Sequence, residues 1–239
     1  MAGPDDKPLA GRIALVTGAS RGIGAATAQA LAAAGVHVVL TARKVKDLET
    51  VEDAIHEAGG TATIAPMDLT DGDSIGRLAG AVAERWDRLD ILVINAAMLP
   101  QLAPVAQSEA KGFNQALTLN VLATQALLAH FDPLLRRSKA GRIIGLTSSV
   151  GAQPRAYWGA YGATKAAFDT LLSCHAQEVE RISEVRVAIL DPGATRTQMR
   201  ARAYPGEDPQ TVKPPEAVAE HIVQLLQRDF QTGLRERVD

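Results

Sequence analysis

Arg12-Ile13-Ala14-Leu15-Val16-Thr17-Gly18-Ala19-Ser20-Arg21-Gly22-Ile23-Gly24 decides how this chain is to be read. Its first half, Arg12 to Thr17, is a short apolar run that predicts a strand, and Gly18 stops it. Its second half opens an Ala-rich helix, predicted over Gly22 to Ala34 and ended by Gly35. Between them lies a tight turn into a helix N-terminus. Gly18 permits the turn, Gly22 lets backbone approach a diphosphate, and Gly24 lets the helix pack close to the strand. No Lys-Ser/Thr follows the last glycine, which excludes a Walker loop.

Outward from this turn the pattern alternates. Strands are predicted at Val36 to Leu40, Thr61 to Pro66, Leu89 to Ile94, Gly141 to Thr147 and Val185 to Leu190, with a short last one at Leu234 to Val238. Helices are predicted at Lys44 to Ala58 and at Asp71 to Arg85, where Asp71 suits the N-cap. Further helices are predicted at Gly112 to Arg137, Tyr157 to Glu180 and Pro214 to Arg228. The first of these carries the stripe Phe113, Leu117, Val121, Thr124 and Leu128. Residues 191 to 213 are irregular. Alternating β and α with continuously apolar strands predicts a doubly wound α/β fold, a Rossmann-type parallel sheet of six to seven strands covered by helices on both faces. Residues 1 to 8 are expected as a flexible tail and 9 to 239 as one dinucleotide-binding catalytic domain. In such folds ligands bind beyond the carboxyl ends of the strands.

Composition narrows the function. The 239 residues carry 25 Lys+Arg against 27 Asp+Glu, a formal net charge of -2, which argues against a nucleic-acid binder. Aromatics make up only 4%, so base-stacking platforms are not expected. The single cysteine, Cys174, excludes a disulfide scaffold and a Cys-based zinc cluster, and is expected to pack. His37, His56, His130, His175 and His221 show no metal-ligand spacing, so no metal is expected. No run reaches membrane-spanning length. Met1 to Pro8 lacks the apolar stretch of a signal peptide, so a cytoplasmic protein without a membrane partner is expected.

The turn Thr17 to Gly24 also resembles the TGxxxGxG cofactor motif of the short-chain dehydrogenases/reductases. Further segments follow in the family's order. Asn95-Ala96-Ala97 resembles its Asn-Ala-Gly, with Ala97 departing at the third position. Asn120 stands mid-helix where the family keeps an asparagine. Tyr161-Gly162-Ala163-Thr164-Lys165 matches YxxxK. Asp191-Pro192-Gly193-Ala194-Thr195-Arg196-Thr197 resembles its Pro-Gly segment. The resemblance covers roughly residues 10 to 239. It implies a nicotinamide cofactor held by Gly18, Ser20, Arg21, Gly22, Ile23, Gly24, Arg43, Asp68, Leu69, Asn95, Ala96, Ala97, Tyr161, Lys165, Pro192, Gly193, Thr195 and Thr197. Asp68 stands where the family contacts adenine.

The resemblance also asks for a serine ending the fifth strand, where Thr147, Ser148 and Ser149 compete. In the family this serine usually stands 13 residues before the tyrosine and seven after the glycine that opens the strand, and both counts select Ser148 over Ser149. Carbonyl reduction needs a hydride from the cofactor and a proton for the developing alkoxide. Tyr161 would be the general acid, or the base in reverse. A free tyrosine titrates near ~10, so Lys165, four residues on and on the same helical face, would make it more acidic. Ser148 would steady the oxyanion. Asn120 would hold a water linking Lys165 to solvent, and Lys165 would grip the nicotinamide ribose. Tyr157 is a weaker competitor for the acid because it lacks a lysine four residues on.

The second strand ends in Thr41-Ala42-Arg43, with no acid before Asp47. Arg43, helped by Arg21, could therefore clamp a 2′-phosphate, and NADP(H) is the expected cofactor. Ser148, Trp158, Met199 and Tyr204 are the candidates for the pocket of a small carbonyl or alcohol substrate. Residues 199 to 213 are a candidate lid. The expectation is an NADP(H)-dependent oxidoreductase acting on a carbonyl or secondary alcohol. The alternatives are a catalytically silent NADP(H)-binding sensor or scaffold, which loss of Tyr161 or Lys165 would have signalled, and isomerase or lyase chemistry. The family's habit of pairing its two long helices implies a homodimer or homotetramer. The chain stops before the family's usual terminal Gly-Gly, which puts one tetramer contact in doubt.

Overall fold

The computed structural model describes residues 7–239. Its strands are β1 (Ile13–Thr17), β2 (His37–Thr41), β3 (Thr61–Ile64), β4 (Ile91–Ile94), β5 (Arg142–Leu146), β6 (Arg186–Asp191) and β7 (Leu234–Arg237). They form one parallel sheet in the order β3-β2-β1-β4-β5-β6-β7. The winding direction reverses between β1 and β4. A crevice therefore opens beyond their carboxyl ends, where ligands enter such sheets.

Strand residues alternate between two apolar layers. Ala14, Val16, Val38, Leu40, Val93, Ile144 and Leu190 face α1 (Gly22–Ala33), α2 (Val45–Glu57) and α9 (Pro215–Gln227). Leu15, Val39, Leu92, Ile143, Val187 and Ile189 face α3 (Gly72–Trp86), α5 (Ala123–Arg137) and α7 (Gly159–Val179). Because both faces are covered, the strands read as unbroken apolar runs.

Several boundaries differ from expectation. Residues 1–6 of the expected tail lie outside the described residues, while Lys7 and Pro8 lead into a turn that buries Leu9. The expected helix over 112–137 is three pieces: α4 (Ala110–Leu117), a π-helical turn (Thr118–Leu122) and α5. A π-turn inserts one extra residue, which shifts the inward stripe from the simple helical period. Ala116, Asn120, Ala123, Thr124, Leu127, Leu128, Phe131, Leu134 and Leu135 are the buried positions, so Thr124 and Leu128 of the expected stripe face inward, while Phe113, Leu117 and Val121 are only half-buried. A short α6 (Ser149–Ala152) follows β5, and α7 starts at Gly159, two residues later than expected. The segment expected to be irregular contains α8 (Gln198–Ala203), capped by the Thr197 hydroxyl accepting from the Arg200 N–H. Cys174 is exposed on α7, not packed. Among the described residues, no helix is long and apolar enough to cross a membrane.

Candidate active site

At the end of β1, Gly18 and Gly22 adopt left-handed φ values of +66° and +56°, which side chains disfavour. A methyl group on Gly24 would collide with the Gly18 carbonyl and come within 2.5 Å of Asn95 Nδ2. The helix-packing role read for Gly24 thus has a physical cause. Arg21, at the N-cap of α1, makes no side-chain capping bond, and the first turn holds no acid. The backbone N–H groups at this helix end are therefore donors for an anion. Arg21 Nη1 donates to Gln198 Oε1 at 2.6 Å, which ties the turn to α8. Ile23 is half-buried against the core, and Ser20 sits half-buried in the turn.

Thr17 joins β1 to β4. Its hydroxyl donates to the Val93 carbonyl and accepts the N–H groups of Asn95 and Ala96 at 2.9 and 3.0 Å. Asn95 Nδ2 donates to the Thr17 carbonyl at 2.8 Å. These bonds fix the Asn95-Ala96-Ala97 segment beside the glycine turn. Asp68 accepts from the backbone N–H and hydroxyl of Thr70. The backbone bond in particular holds its carboxyl below the usual range, with a smaller contribution from the Arg43 charge. Arg43 is exposed beside β2's end. Leu69 is buried in the core.

On the other side of the crevice, α6 lies against α7 because neither helix interposes a side chain at the crossing. A methyl group on Gly162 would come within 2.9 Å of the Val150 carbonyl, and one on Gly151 within 3.0 Å of the Lys165 backbone. Ser148 is the N-cap of α6, whose Gly151 lies against Lys165. Ser149 is the first residue of α6. Thr147 Oγ1 is buried and has no hydrogen-bond partner. Asn120 is buried in the π-turn. It accepts from the Met98 N–H at 2.9 Å and donates to the Met98 carbonyl and to Thr164 Oγ1 at 3.0 and 2.9 Å. Thr164 in turn donates to the Tyr161 carbonyl at 2.8 Å.

Lys165 is buried and donates from Nζ to the Leu146 carbonyl at 2.7 Å. Its ammonium lies 4.5 Å from the Phe168 ring centroid and 5.9 Å from that of Tyr161. Burial lowers its pKa to about 8, with Asp169 opposing. Burial pushes the Tyr161 phenol above its ordinary value, and the Asp191 charge adds to this. Desolvation disfavours the charged form of both groups, so each is driven toward neutrality.

Trp158 and Met199 lie against Tyr161, and Tyr204 lies against Trp158. The Tyr161 hydroxyl lies 3.9 Å from Met199 Sδ. Trp158 meets Tyr161 edge-on at 6.0 Å between ring centroids and Tyr204 at 5.8 Å. Two residues before Met199, the Thr197 methyl lies 3.3 Å from where a Gly22 side chain would begin. One short segment therefore has the glycine turn on one side and the phenol on the other. Arg200 clamps Glu207 at 2.5 and 2.7 Å and folds the following segment back. Downstream of β6, Thr195 donates to the Pro192 carbonyl at 2.9 Å, and the Gly193 N–H donates to Asp191 at 3.0 Å. Tyr157, the weaker acid candidate, is 61% exposed and outside this cluster.

Reading the sequence gave no separate part to Thr17, Thr164 and Asp191. Thr17 and Thr164 lay inside the two motifs already singled out, and only the hydrogen bonds reveal what their hydroxyls do.

The chain is similar to known proteins in sequence and in fold. A family model described as short chain dehydrogenase matches residues 12–208. The uncharacterized oxidoreductase YciK of Escherichia coli is 36% identical over 236 residues, covering 97% of this chain and 93% of that one. A short chain dehydrogenase structure from Pseudomonas syringae superposes with a TM-score of 0.94 at 39% identity, covering 100% and 98% of the two chains. One from Escherichia coli, complexed with NADPH, has a TM-score of 0.93 at 35% identity and covers 98% of each chain.

Proposed function

This chain belongs to the short chain dehydrogenase family, and from that premise we propose that it is an NADP(H)-dependent oxidoreductase that interconverts a carbonyl compound and its alcohol, with Tyr161 as the proton donor and acceptor. The observation that carries the reading is the 197–199 segment, with Gly22 against Thr197 and the Tyr161 hydroxyl against Met199. This supports a reading in which the glycine turn takes the cofactor's diphosphate and Tyr161 meets the substrate across the same segment. NADPH-complexed relatives of matching fold support the cofactor.

The residues fit such a cofactor. Left-handed glycines, an uncapped helix N-terminus and the absence of an acid at β2's end suit a diphosphate and a 2′-phosphate. Arg43 would pair with the 2′-phosphate, and Arg21 would join it on leaving Gln198. Asn95, Ala96 and Ala97 would flank the adenosine side, with Asp68 at the adenine. Pro192, Gly193, Thr195 and Thr197 would flank the nicotinamide side. When bound, NADPH supplies the hydride.

The chain's own part is to manage the proton and the oxygen. A raised pKa keeps Tyr161 protonated at neutral pH, the state a proton donor needs for carbonyl reduction. Tyr161 gives that proton to the carbonyl oxygen as it becomes an alkoxide, and Ser148 donates a hydrogen bond to the same oxygen. Lys165 holds a cation within the buried site and would grip the ribose. Asn120 fixes the Met98 backbone and Thr164, and so positions α7.

The test follows loss of reduced-nicotinamide absorbance on addition of carbonyl compounds. NADPH is expected to be consumed faster than NADH. Arg43→Glu should lower kcat/KM for NADPH by about ten- to a hundredfold, the range of one charged hydrogen bond, and turn the preference toward NADH. Equal use of both cofactors by the wild type would remove Arg43 from the role. We also propose a homodimer or homotetramer built on the two long helical segments, where Leu122 is 60% exposed. Sedimentation should give a dimer or tetramer, and a monomer would contradict it.

A further inference from the structure

Two arginines leave neighbouring strands at one corner of the sheet. Thr17 ends β1 and pairs with Thr41 at the end of β2. The Ala19 N–H donates to the Thr41 carbonyl at 3.1 Å, so the glycine turn is hydrogen-bonded to the end of β2. Arg21 lies four residues beyond Thr17, and Arg43 two beyond Thr41. Both are exposed.

Arg21 is nevertheless held toward the other half of the sheet. Its Nη1 donates to Gln198 Oε1 at 2.6 Å. Gln198 is the first residue of α8, which follows β6, and β6 lies three strands from β1. The preceding residue, Thr197, sits against Gly22. The bond therefore joins α8 to the helix end that would take the diphosphate.

The partner in this bond is a neutral amide. A phosphate offers a guanidinium a charged, bidentate partner, whereas the amide offers one neutral oxygen, so a phosphate within reach displaces it. With no anion between them, two guanidinium groups at one corner repel each other, and Gln198 draws one of them away. Arg21 has to give up the Gln198 bond to meet a 2′-phosphate. NADH has no 2′-phosphate and leaves the bond intact. We infer that Gln198 is a specificity-determining residue, which competes with the 2′-phosphate for Arg21 and so sets how strongly NADP(H) is preferred over NAD(H). The inference rests on the proposed 2′-phosphate site and concerns the residue that tunes it.

The experiment titrates the protein with NADPH and with NADH, follows nucleotide fluorescence without any carbonyl compound, and reads the ratio of the two Kd values. An effect on the diphosphate or nicotinamide, which both cofactors share, cancels in that ratio. Gln198→Leu removes the competing oxygen at an exposed position and keeps the Thr197 cap of α8. It should tighten NADPH by about three- to tenfold, the range of one net hydrogen bond, and leave NADH unchanged. Gln198→Glu gives Arg21 a charged partner and should lower the NADPH preference instead. Arg21→Ala should lower that preference by about tenfold or more, and adding Gln198→Leu to it should change the ratio no further. An unchanged ratio in Gln198→Leu, or the same gain in the Arg21→Ala background, would overturn the inference. A wild type that prefers NADPH through Arg43, with Arg21→Ala without effect, would overturn it and leave the 2′-phosphate reading standing. A wild type with no NADPH preference would sink that reading and the inference together.

Discussion

Tyr161→Phe is expected to lower kcat/KM for carbonyl reduction by about 10²–10⁴, the range contributed by a positioned proton donor. NADPH binding should be retained. The substitution removes one oxygen from a buried ring. That oxygen's recorded partner is a sulfur at 3.9 Å, so no strong hydrogen bond is lost and no buried donor is orphaned. Stability should therefore change by less than about 1 kcal/mol. Activity and stability thus separate. A folded, NADPH-binding variant with wild-type turnover would take the proton role from Tyr161. A variant that failed to fold would contradict the geometry around the hydroxyl.

Lys165→Met is expected to move the two quantities in opposite directions. Turnover should fall at least about a hundredfold, because the buried cation is lost from beside Tyr161. The melting temperature should rise. Burial lowers the Lys165 pKa from 10.5 to about 8, which costs the wild type about 3 kcal/mol at neutral pH. Methionine removes that cost and leaves the Leu146 carbonyl without the Nζ donor, returning about 1 kcal/mol. A net gain of about 2 kcal/mol corresponds to roughly 4–8 °C in a chain of this size.

The pH dependence has a definite sign. Above about pH 8 the folded wild type releases the Lys165 proton while the unfolded chain keeps it, so wild-type stability rises with pH. The advantage of Lys165→Met should therefore shrink as pH is raised through about 8. A variant that melts below the wild type at neutral pH would show that Lys165 stabilises the fold, contrary to its burial without a carboxylate hydrogen bond.

Much of the fold and several parts of the site are legible in the chain because they depend on local chemistry. Continuous apolar runs such as Ile13–Thr17 mark strands buried on both faces, and the strand–helix alternation predicts the parallel sheet that the structure has. Gly18, Gly22 and Gly24 stand where only glycine satisfies the backbone or the neighbouring carbonyl. Tyr161 and Lys165 share a helical face through their spacing alone. The break at Thr118–Leu122 was not legible, because a single inserted residue disturbs the apolar period without any proline or glycine to announce it.

The sequence by itself determined the sheet, the glycine turn and the residue types available for proton transfer, since each follows from periodicity or backbone sterics within a few residues. Only the tertiary structure decided the electrostatics and the pocket. Burial sends the Tyr161 and Lys165 pKa values in directions that spacing could not foretell. The 197–199 segment meets both Gly22 and Tyr161 across a long sequence separation. Desolvation and long-range contact depend on what the rest of the chain packs around a residue, and no local pattern records that.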